Sequence, residues 1–450
     1  MKKRNCGYSE NLNRQNKYEH KNYSKVIKSC GYSNYLKKKK NINPISTLNF
    51  VKNSNNITIS NILYSNYTNN LTNIDSIYNP PVFKSLVTII NTTTYGVVNF
   101  VFPNQNTVQI VAVDGNILTE NQYYDPDYVI NAFNSGLLPI IQFTGTMTTT
   151  DKYNFDAYTG SIWFILYLYE HFQRVGILNT SSVILSVVNV NFTNAFWNGY
   201  YMTYGNSSDE VGINPITTLD IVGHEMMHGI TDITNGLVYY GESGAINESI
   251  SDIIGTVLEL FYDIKSGKNL FDWTIGENAF PTALRSFANP NLFYQPDTYL
   301  GTMWQNTNIP YDNGGVHTNS GVSNYLFYLM CVPTQSTNDY GFSFQTITVF
   351  NILTLAKILY YSITGYTSYS KLSALSNYKM YVNNLLSNIK LYVSLHNLDL
   401  ELVTTCETSI KAINLTIEDG VAKPKPKSKR RRKQYFPKKK PKKKLINLIY

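Results

Sequence analysis

Hydrophobic and polar positions alternate in three short runs after about residue 83, VTII at 87–90, GVVNFVF at 96–102 and TVQIVAV at 107–113, with Asn and Gly between them. A period of two in β-branched residues predicts strands, and the short polar turns predict that they pair antiparallel. From 156 the period changes to that of a helix, in DAYTGSIWFILYLYEHFQRVG, in LDIVGHEMMHGITDITNG at 219–236, in AINESISDIIGTVLELFYDIK at 245–265, and again between 320 and 415. The chain is thus expected to be mostly sheet first and mostly helix afterwards, an α+β class. Neither end shows a period. Residues 1–75 are rich in Asn, Ser, Tyr and Lys and repeat a fragment, CGYSENL at 6–12 and CGYSNYL at 30–36. After Gly420, spaced prolines and like charges oppose packing. The expected organisation is an arm over 1–75, a β-rich lobe over 76–235 that ends with the HEMMH helix, a helical lobe over 236–415 and a basic tail over 416–450.

Composition sharpens this picture through charge. The net balance of +8 conceals a split. Residues 1–45 carry 12 Lys and Arg against Glu10 and Glu19, residues 421–450 carry 14 and no acid, and residues 46–420 keep 12 against 28 acids, a balance of −16. The tail, with KSKRRRK at its centre, offers phosphate contacts without any means of reading bases, which leaves two readings open, non-specific contact of the basic termini with nucleic acid or another acidic surface, or a solvated end with no partner. Four scattered cysteines form no C-x-x-C pair and no disulfide framework. The basic start lacks the apolar stretch of a secretory signal, and IWFILYLY at 162–169 falls short of the ~20 residues that span a bilayer. No membrane span and no classical export are expected, which leaves intracellular, nuclear and virion-associated locations open. A monomer is expected.

Chemistry concentrates in HEMMHGITDITNGLVYYGESGAINESISD, residues 224–252. On a helix His224 and His228 lie one turn apart on the same face, so both imidazoles can meet one metal ion. Zinc takes neutral imidazole readily, and Glu225, one position round, is placed to hold a water and take its proton. A catalytic zinc site has three protein ligands and an open position. Glu248 and Asp252 again stand four apart on one helical face: Glu248 can complete the ligand set, and Asp252 can accept the remaining N–H of His224 or His228.

Taken together, HEMMH, GLVYYGESGAINESISD and DNGGVHTNSGVSNYLFYL at 312–329 resemble the signature blocks of the thermolysin-like zinc metallopeptidases, the gluzincin group, and NAFWNGYYMTYG at 194–205 and ALRSFANP at 283–290 follow the same pattern. The resemblance runs from about 151 to 415, is thin over 80–150 and is absent at both ends. It implies a two-lobed thermolysin-like fold, a β-rich N-terminal lobe and an α-helical C-terminal lobe with the active-site helix between them. It implies zinc on His224, His228 and Glu248, Glu225 as general base, and Tyr239 and His317 as stabilisers of the oxyanion, with Asp312 orienting His317. Asn194, the backbone of Ala195, and Arg285 match positions that hold a substrate's main chain, which would lie along an edge strand. Ile221, Ile275 and Leu284 match the pocket for the residue after the cut, so hydrolysis of peptides or proteins before bulky hydrophobic residues is implied. Asp220, Glu259, Asp272 and Glu277 match a structural calcium site. Two departures stand out: Thr274 replaces a further acid of that site, and Gly229 stands where relatives more often have alanine. About 80 residues unlike any propeptide precede the resembling region.

A different class of function remains open on these residues. An inactive or structural protein that keeps the peptidase fold, associated with nucleic acid through its basic termini, would carry the same tails. Intact metal and base positions count against it.

Overall fold

The structure, a computed structural model, describes residues 48–50, 55–58, 96–141, 149–207 and 212–417. All belong to one compact unit that runs to Ile417. The VTII run, Cys6, Cys30, most of the arm and the basic tail lie outside the described residues.

Six strands form the main sheet: β1 (Asn55–Thr58), β2 (Val97–Val101), β3 (Thr107–Asp114), β4 (Ser182–Val190), β5 (Ala195–Trp197) and β6 (Met202–Gly205), in the order β1-β2-β3-β4-β6-β5. β2 and β3 are the GVVNFVF and TVQIVAV runs. They pair antiparallel with Val97 opposite Val111, across a turn closed by Phe102 N–H to Asn106 O at 2.9 Å. The expectation of an antiparallel sheet fails beyond this hairpin and the β5–β6 pair, because β1 runs parallel to β2, and β3, β4 and β6 run parallel to one another. Between β3 and β4 the chain makes the short helices α1 (Glu120–Tyr123) and α2 (Pro126–Asn134), then the 24-residue α3 (Thr149–Phe172). A helical crossover returns the chain to the same edge, so the next strand points the same way. Sheet and helix are therefore interleaved across residue 156.

Residues Asn154 to Leu168 of α3 are buried all round, as expected of a helix with no polar face. It packs on β3 and β4 on one side and on α4 (Leu219–Thr234) on the other. The sequence reading of residues 1–75 as a loose arm also needs correction. Leu48 is buried in the core, Asn49 donates its N–H to Asn134 Oδ1 at 3.0 Å, and β1 forms the outer edge of the sheet. Backbone pairing alone recruits such a strand, and it leaves little trace in a polar stretch like NNIT.

After α4 come α5 (Gly241–Ser266), the strand pair β7 (Thr274–Ile275) and β8 (Arg285–Ser286), α6 (Asp312–Cys331), the hairpin β9 (Thr334–Thr337) and β10 (Ser343–Thr346), α7 (Ile352–Thr364), α8 (Tyr378–Leu395) and α9 (Glu401–Ala412). Asn351 and Asn377 cap α7 and α8 through their side chains, and Gly267 and Gly365 close α5 and α7 in the left-handed conformation. α4 packs against α5, and α5 against α6. The first contact is close because glycines meet there: a methyl on Gly255 would lie 2.3 Å from the Asp220 carbonyl oxygen. Cys331 and Cys406 are buried free thiols. No described helix is long and apolar enough to cross a membrane.

Candidate active site

Close helix packing brings the two halves of the motif together. His224 and His228 on α4 hold their Nε2 atoms 2.9 Å apart, and Glu248 on α5 lies 3.5 Å from the first through Oε2 and 3.4 Å from the second through Oε1. All three are buried. Glu248 Oε2 has no hydrogen-bond partner in the protein, an orphaned oxygen 3.5 Å from His224 Nε2. Burial works against the charge of Glu248, yet His317, His228 and His224 hold its pKa well below the usual glutamate value. Two imidazoles and one carboxylate, with ligand atoms within 4.8 Å of one another, are a zinc donor set.

Partners behind the histidines set their tautomers. His224 Nδ1 lies 2.8 Å from Asp252 Oδ1, while His228 Nδ1 faces Asn247 Oδ1 at 2.9 Å and Ser251 Oγ at 3.1 Å. With Nδ1 protonated toward these oxygens, each Nε2 keeps its lone pair for the centre. Sequence reasoning left Asp252 free to serve either histidine; the structure gives it to His224. Asn247, which the sequence reading missed, serves His228. Asp252 also accepts Arg285 Nε at 2.7 Å, Arg285 Nη2 at 2.6 Å and Asn324 Nδ2 at 2.8 Å. Burial raises the pKa of Asp252, and the guanidinium of Arg285 and His224 more than reverse this. Arg285, expected to touch substrate, is itself buried in this ion pair.

Glu225 is fixed by the sheet. Its Oε2 accepts the backbone N–H of Trp197 on β5 at 2.8 Å, a second contact absent from the sequence reading. Burial, helped by Glu248, raises the pKa of Glu225 against the pull of both imidazoles and of that N–H, the direction that makes a carboxylate a better proton acceptor. Asn194, immediately before the edge strand, is buried with its Oδ1 unpartnered, and Ala195, the first residue of the strand, pairs with Tyr204 on its inner side.

Opposite them, Tyr239 donates its hydroxyl to Glu248 Oε1 and stands 3.1 Å from His317 Nε2. His317 Nδ1 lies 2.5 Å from Asp312 Oδ1. Desolvation depresses the His317 pKa, but Glu248 and Asp312 outweigh it and raise it to about 9, so His317 is a ready proton donor. Asp312 Oδ2 also accepts the N–H groups of His317 and Thr318 at 3.1 and 3.0 Å, a helix cap that fixes the carboxylate. The first four residues of α6, Asp312 to Gly315, wind left-handed with φ of 51°, 46°, 80° and 82°.

The hydrophobic set assembles beside this centre. Ile275 on β7 and Leu284 are joined by Leu284 N–H to Ile275 O at 2.7 Å, and Ile221 follows Asp220, whose Oδ2 accepts the Gly276 N–H at 2.6 Å. Ile221 and Ile275 are buried and Leu284 is half-buried.

Asp220, Glu259 and Glu277 form a separate cluster with ligand oxygens within 4.8 Å. Burial and mutual repulsion push Glu277 up to about 8 and Glu259 well above the usual range, and Glu259 Oε2 is unpartnered. Such crowded carboxylates need a proton or a cation. Asp272 reaches them through Thr274, whose N–H and hydroxyl bond Asp272 Oδ1 at 2.7 and 2.6 Å while the hydroxyl also approaches Glu277 Oε2 at 3.0 Å.

A buried His-His-Glu set on two crossing helices, with a second glutamate beside it and a tyrosine and a histidine across from it, defines the zinc-hydrolase class of site. Family comparison is more specific. The model of the thermolysin metallopeptidase catalytic domain matches residues 131–232, and that of its alpha-helical domain matches 235–399. Together they cover more than half of the chain, which belongs to the thermolysin metallopeptidase family. The chain is 38% identical over 193 residues to a zinc metalloproteinase of Renibacterium salmoninarum, covering 41% of this chain and 33% of that one. It is 39% identical over 196 residues to a thermolysin of Alicyclobacillus acidocaldarius subsp. acidocaldarius, covering 41% and 32%. The chain thus spans about a third of the length of these curated relatives. The precursor of protealysin, a metalloproteinase from Serratia proteamaculans, shares the fold with a TM-score of 0.50 at 22% identity, over 68% of this chain and 87% of that one.

Proposed function

We propose that the protein is a zinc-dependent endopeptidase that cuts before bulky hydrophobic residues. The observation that carries this reading is the buried Glu248 carboxylate, one oxygen of it orphaned, converging with the Nε2 atoms of His224 and His228, whose other ring nitrogens face Asp252 and Asn247, next to a buried carboxylate held by the edge strand. Zinc held by His224, His228 and Glu248 would supply a Lewis acid that lowers the pKa of water and polarises a carbonyl. Asn194 Oδ1 and the outer edge of Ala195 would take the substrate backbone in the manner of an added strand. Glu225 accepts the proton of the attacking water and passes it to the leaving amine. Tyr239 and His317 donate to the oxygen that gains charge, and Asp312 keeps Nδ1 of His317 protonated so that Nε2 does the donating. The apolar walls of Ile221, Ile275 and Leu284 support the hydrophobic preference.

The same reading takes Asp220, Glu259 and Glu277 as a calcium site that ties α4, α5 and the segment beyond β7 together; oxygen donors of this kind suit a hard cation. It assigns the lysine-rich tail to non-specific contact with nucleic acid or another polyanion.

Quenched peptides with Leu or Phe after the cleavable bond, against matched peptides with Asp, test the activity. Glu225→Gln is expected to lower kcat about 10²–10⁴-fold while bound zinc, measured by elemental analysis, is retained. Cleavage that survives both that substitution and chelation refutes the reading. Zinc binding without cleavage of any peptide returns the non-hydrolytic alternative.

A further inference from the structure

We propose that Gln305 and Asn319 are positioning residues that lock the left-handed turn Asp312–Gly315 and so aim His317 at the reacting carbonyl. The functional meaning rests on the peptidase reading; the clamp itself rests on geometry.

Asp312 and Asn313 are not glycine, yet both sit in the left-handed region, followed by Gly314 and Gly315. Such a run persists only where its surroundings over-determine it. The turn cannot be fixed by Asp312 alone, because Asp312 is part of what must be held. Gln305, from the loop before α6, supplies the grip from outside. Its Nε2 donates to Tyr311 O at 2.9 Å, immediately before the turn, and its Oε1 accepts the Thr318 hydroxyl at 3.1 Å, immediately after His317. One amide therefore spans the segment that carries the histidine.

Asn319 holds Gln305 in turn. The Gln305 N–H donates to Asn319 Oδ1 at 2.9 Å, and Asn319 Nδ2 donates to Gln305 O at 2.9 Å. Asn319 is fully buried. The side chain of Gln305 lies directly on the turn: a methyl on Gly315 would come within 3.0 Å of Gln305 Cβ, 3.1 Å of Cγ and 2.9 Å of Asn319 Nδ2. Only a residue without Cβ fits there. Asp312 thus holds both the ring and the backbone N–H of His317, Gln295 and Ser320 donate to its carbonyl, and the Gln305–Asn319 clasp holds the two ends of the turn, at Tyr311 and Thr318. The clasp acts on the reaction through His317 alone.

The test combines kinetics with a direct reading of the imidazole in the full-length, zinc-loaded protein. Gln305→Ala is expected to lower kcat about tenfold or more with KM within about twofold, since misplacing a charge-stabilising group weakens the transition state more than the ground state. Thr318→Val should fall by a similar factor and Thr318→Ser should match the parent. The double variant should be no worse than either single one, the sign that both remove the same constraint. With histidine 15N-labelled, the Nδ1–H of His317 bonded to Asp312 should be protected from exchange in the parent and lost in Gln305→Ala and Thr318→Val. Native kcat with a protected proton overturns the proposal, and so does a lower melting temperature with kcat and the proton intact. Because the Thr318 hydroxyl also reaches Asp312 Oδ2 at 3.2 Å, Gln305→Met, which keeps the side-chain bulk on the turn and loses both amide bonds, decides should Gln305→Ala fail to fold. A parent that cuts no peptide would refute the peptidase reading, and the proton signal would still decide the clamp.

Discussion

At the residue scale the site depends on what stands behind the ligands. Asn247 accepts the Nδ1 proton of His228 and touches no reacting atom, so Asn247→Ala should weaken zinc binding about 10–100-fold, measurable by competition with a coloured chelator. Unchanged affinity would mean that Ser251, 3.1 Å from the same nitrogen, suffices. The zinc ligands themselves were legible from spacing, since four residues make one helical turn and turn-mates share a face. Asn247 was not, because its role depends on how α5 is rotated against α4, and one asparagine carries no signal in an asparagine-rich chain. Arg285, for which the resemblance implies a substrate contact, has a second role that sequence does not show, since its ion pair with Asp252 exists only once β8 is laid beside α5. Gln305 sits in a loop without any period, where only the fold shows what an amide can reach.

Between elements, the crossing of α4 and α5 sets the distance from His224 to Glu248. Gly255→Ala would drive a methyl against the Asp220 carbonyl and the His224 amide. The helix-propensity gain of at most about 1 kcal/mol does not offset overpacking of about 1–3 kcal/mol, so denaturant titration should show a net loss, with weaker zinc binding. Gly229→Ala makes the contrast, because its methyl would meet side-chain carbons of Ile177 at 3.3 Å and the Trp197 ring at 3.4 Å and no backbone; with a shift of a few tenths of an ångström it should be neutral or stabilising by up to about 1 kcal/mol. The cluster of Asp220, Glu259 and Glu277 gives a pH signature. Glu277 is raised to about 8 and the other two are raised as well, so without a cation the folded protein holds protons that the unfolded chain releases from about pH 4. Stability of the calcium-free protein should therefore fall as pH rises from about 4 to 8, and calcium should abolish that slope. Melting curves in chelator and in calcium across this range check it; a flat profile in chelator would remove the cluster from consideration. Element type was readable where periodicity was long, in α4 and α5. Strand direction was not, because it is decided by the helical crossover between β3 and β4, and β1 was hidden because backbone pairing does not require an apolar pattern.

For the whole molecule, charge separates what the fold does from what its end can do. Residues 46–420 carry a balance of −16, and residues 421–450 carry 14 basic side chains with no acid. An acidic body is repelled by a polyanion, so retention on DNA should reside in the basic ends, residues 1–45 with 12 Lys and Arg against two acids and residues 421–450, and obey counterion release, in which each phosphate neutralised on duplex DNA contributes about −0.9 to the slope of log K against log salt. If about half of the 14 engage, the tail contributes about −6 to the slope, and a chain ending at Gly420 should elute with a slope shallower by about that amount. A slope unchanged by truncation would place the contact elsewhere and end the assignment to the tail. The consequence for catalysis is a matter of local concentration, since a tethered active site meets substrates on the same polyanion at an effective concentration set by the linker. Cleavage of a protein bound to DNA should therefore be faster for the full chain than for the truncated one at low salt, and the two should converge as salt is raised. On a free, uncharged peptide they should be equal at every salt, because such a substrate gains nothing from a shared polyanion and the zinc donor set of His224, His228 and Glu248 belongs to the body.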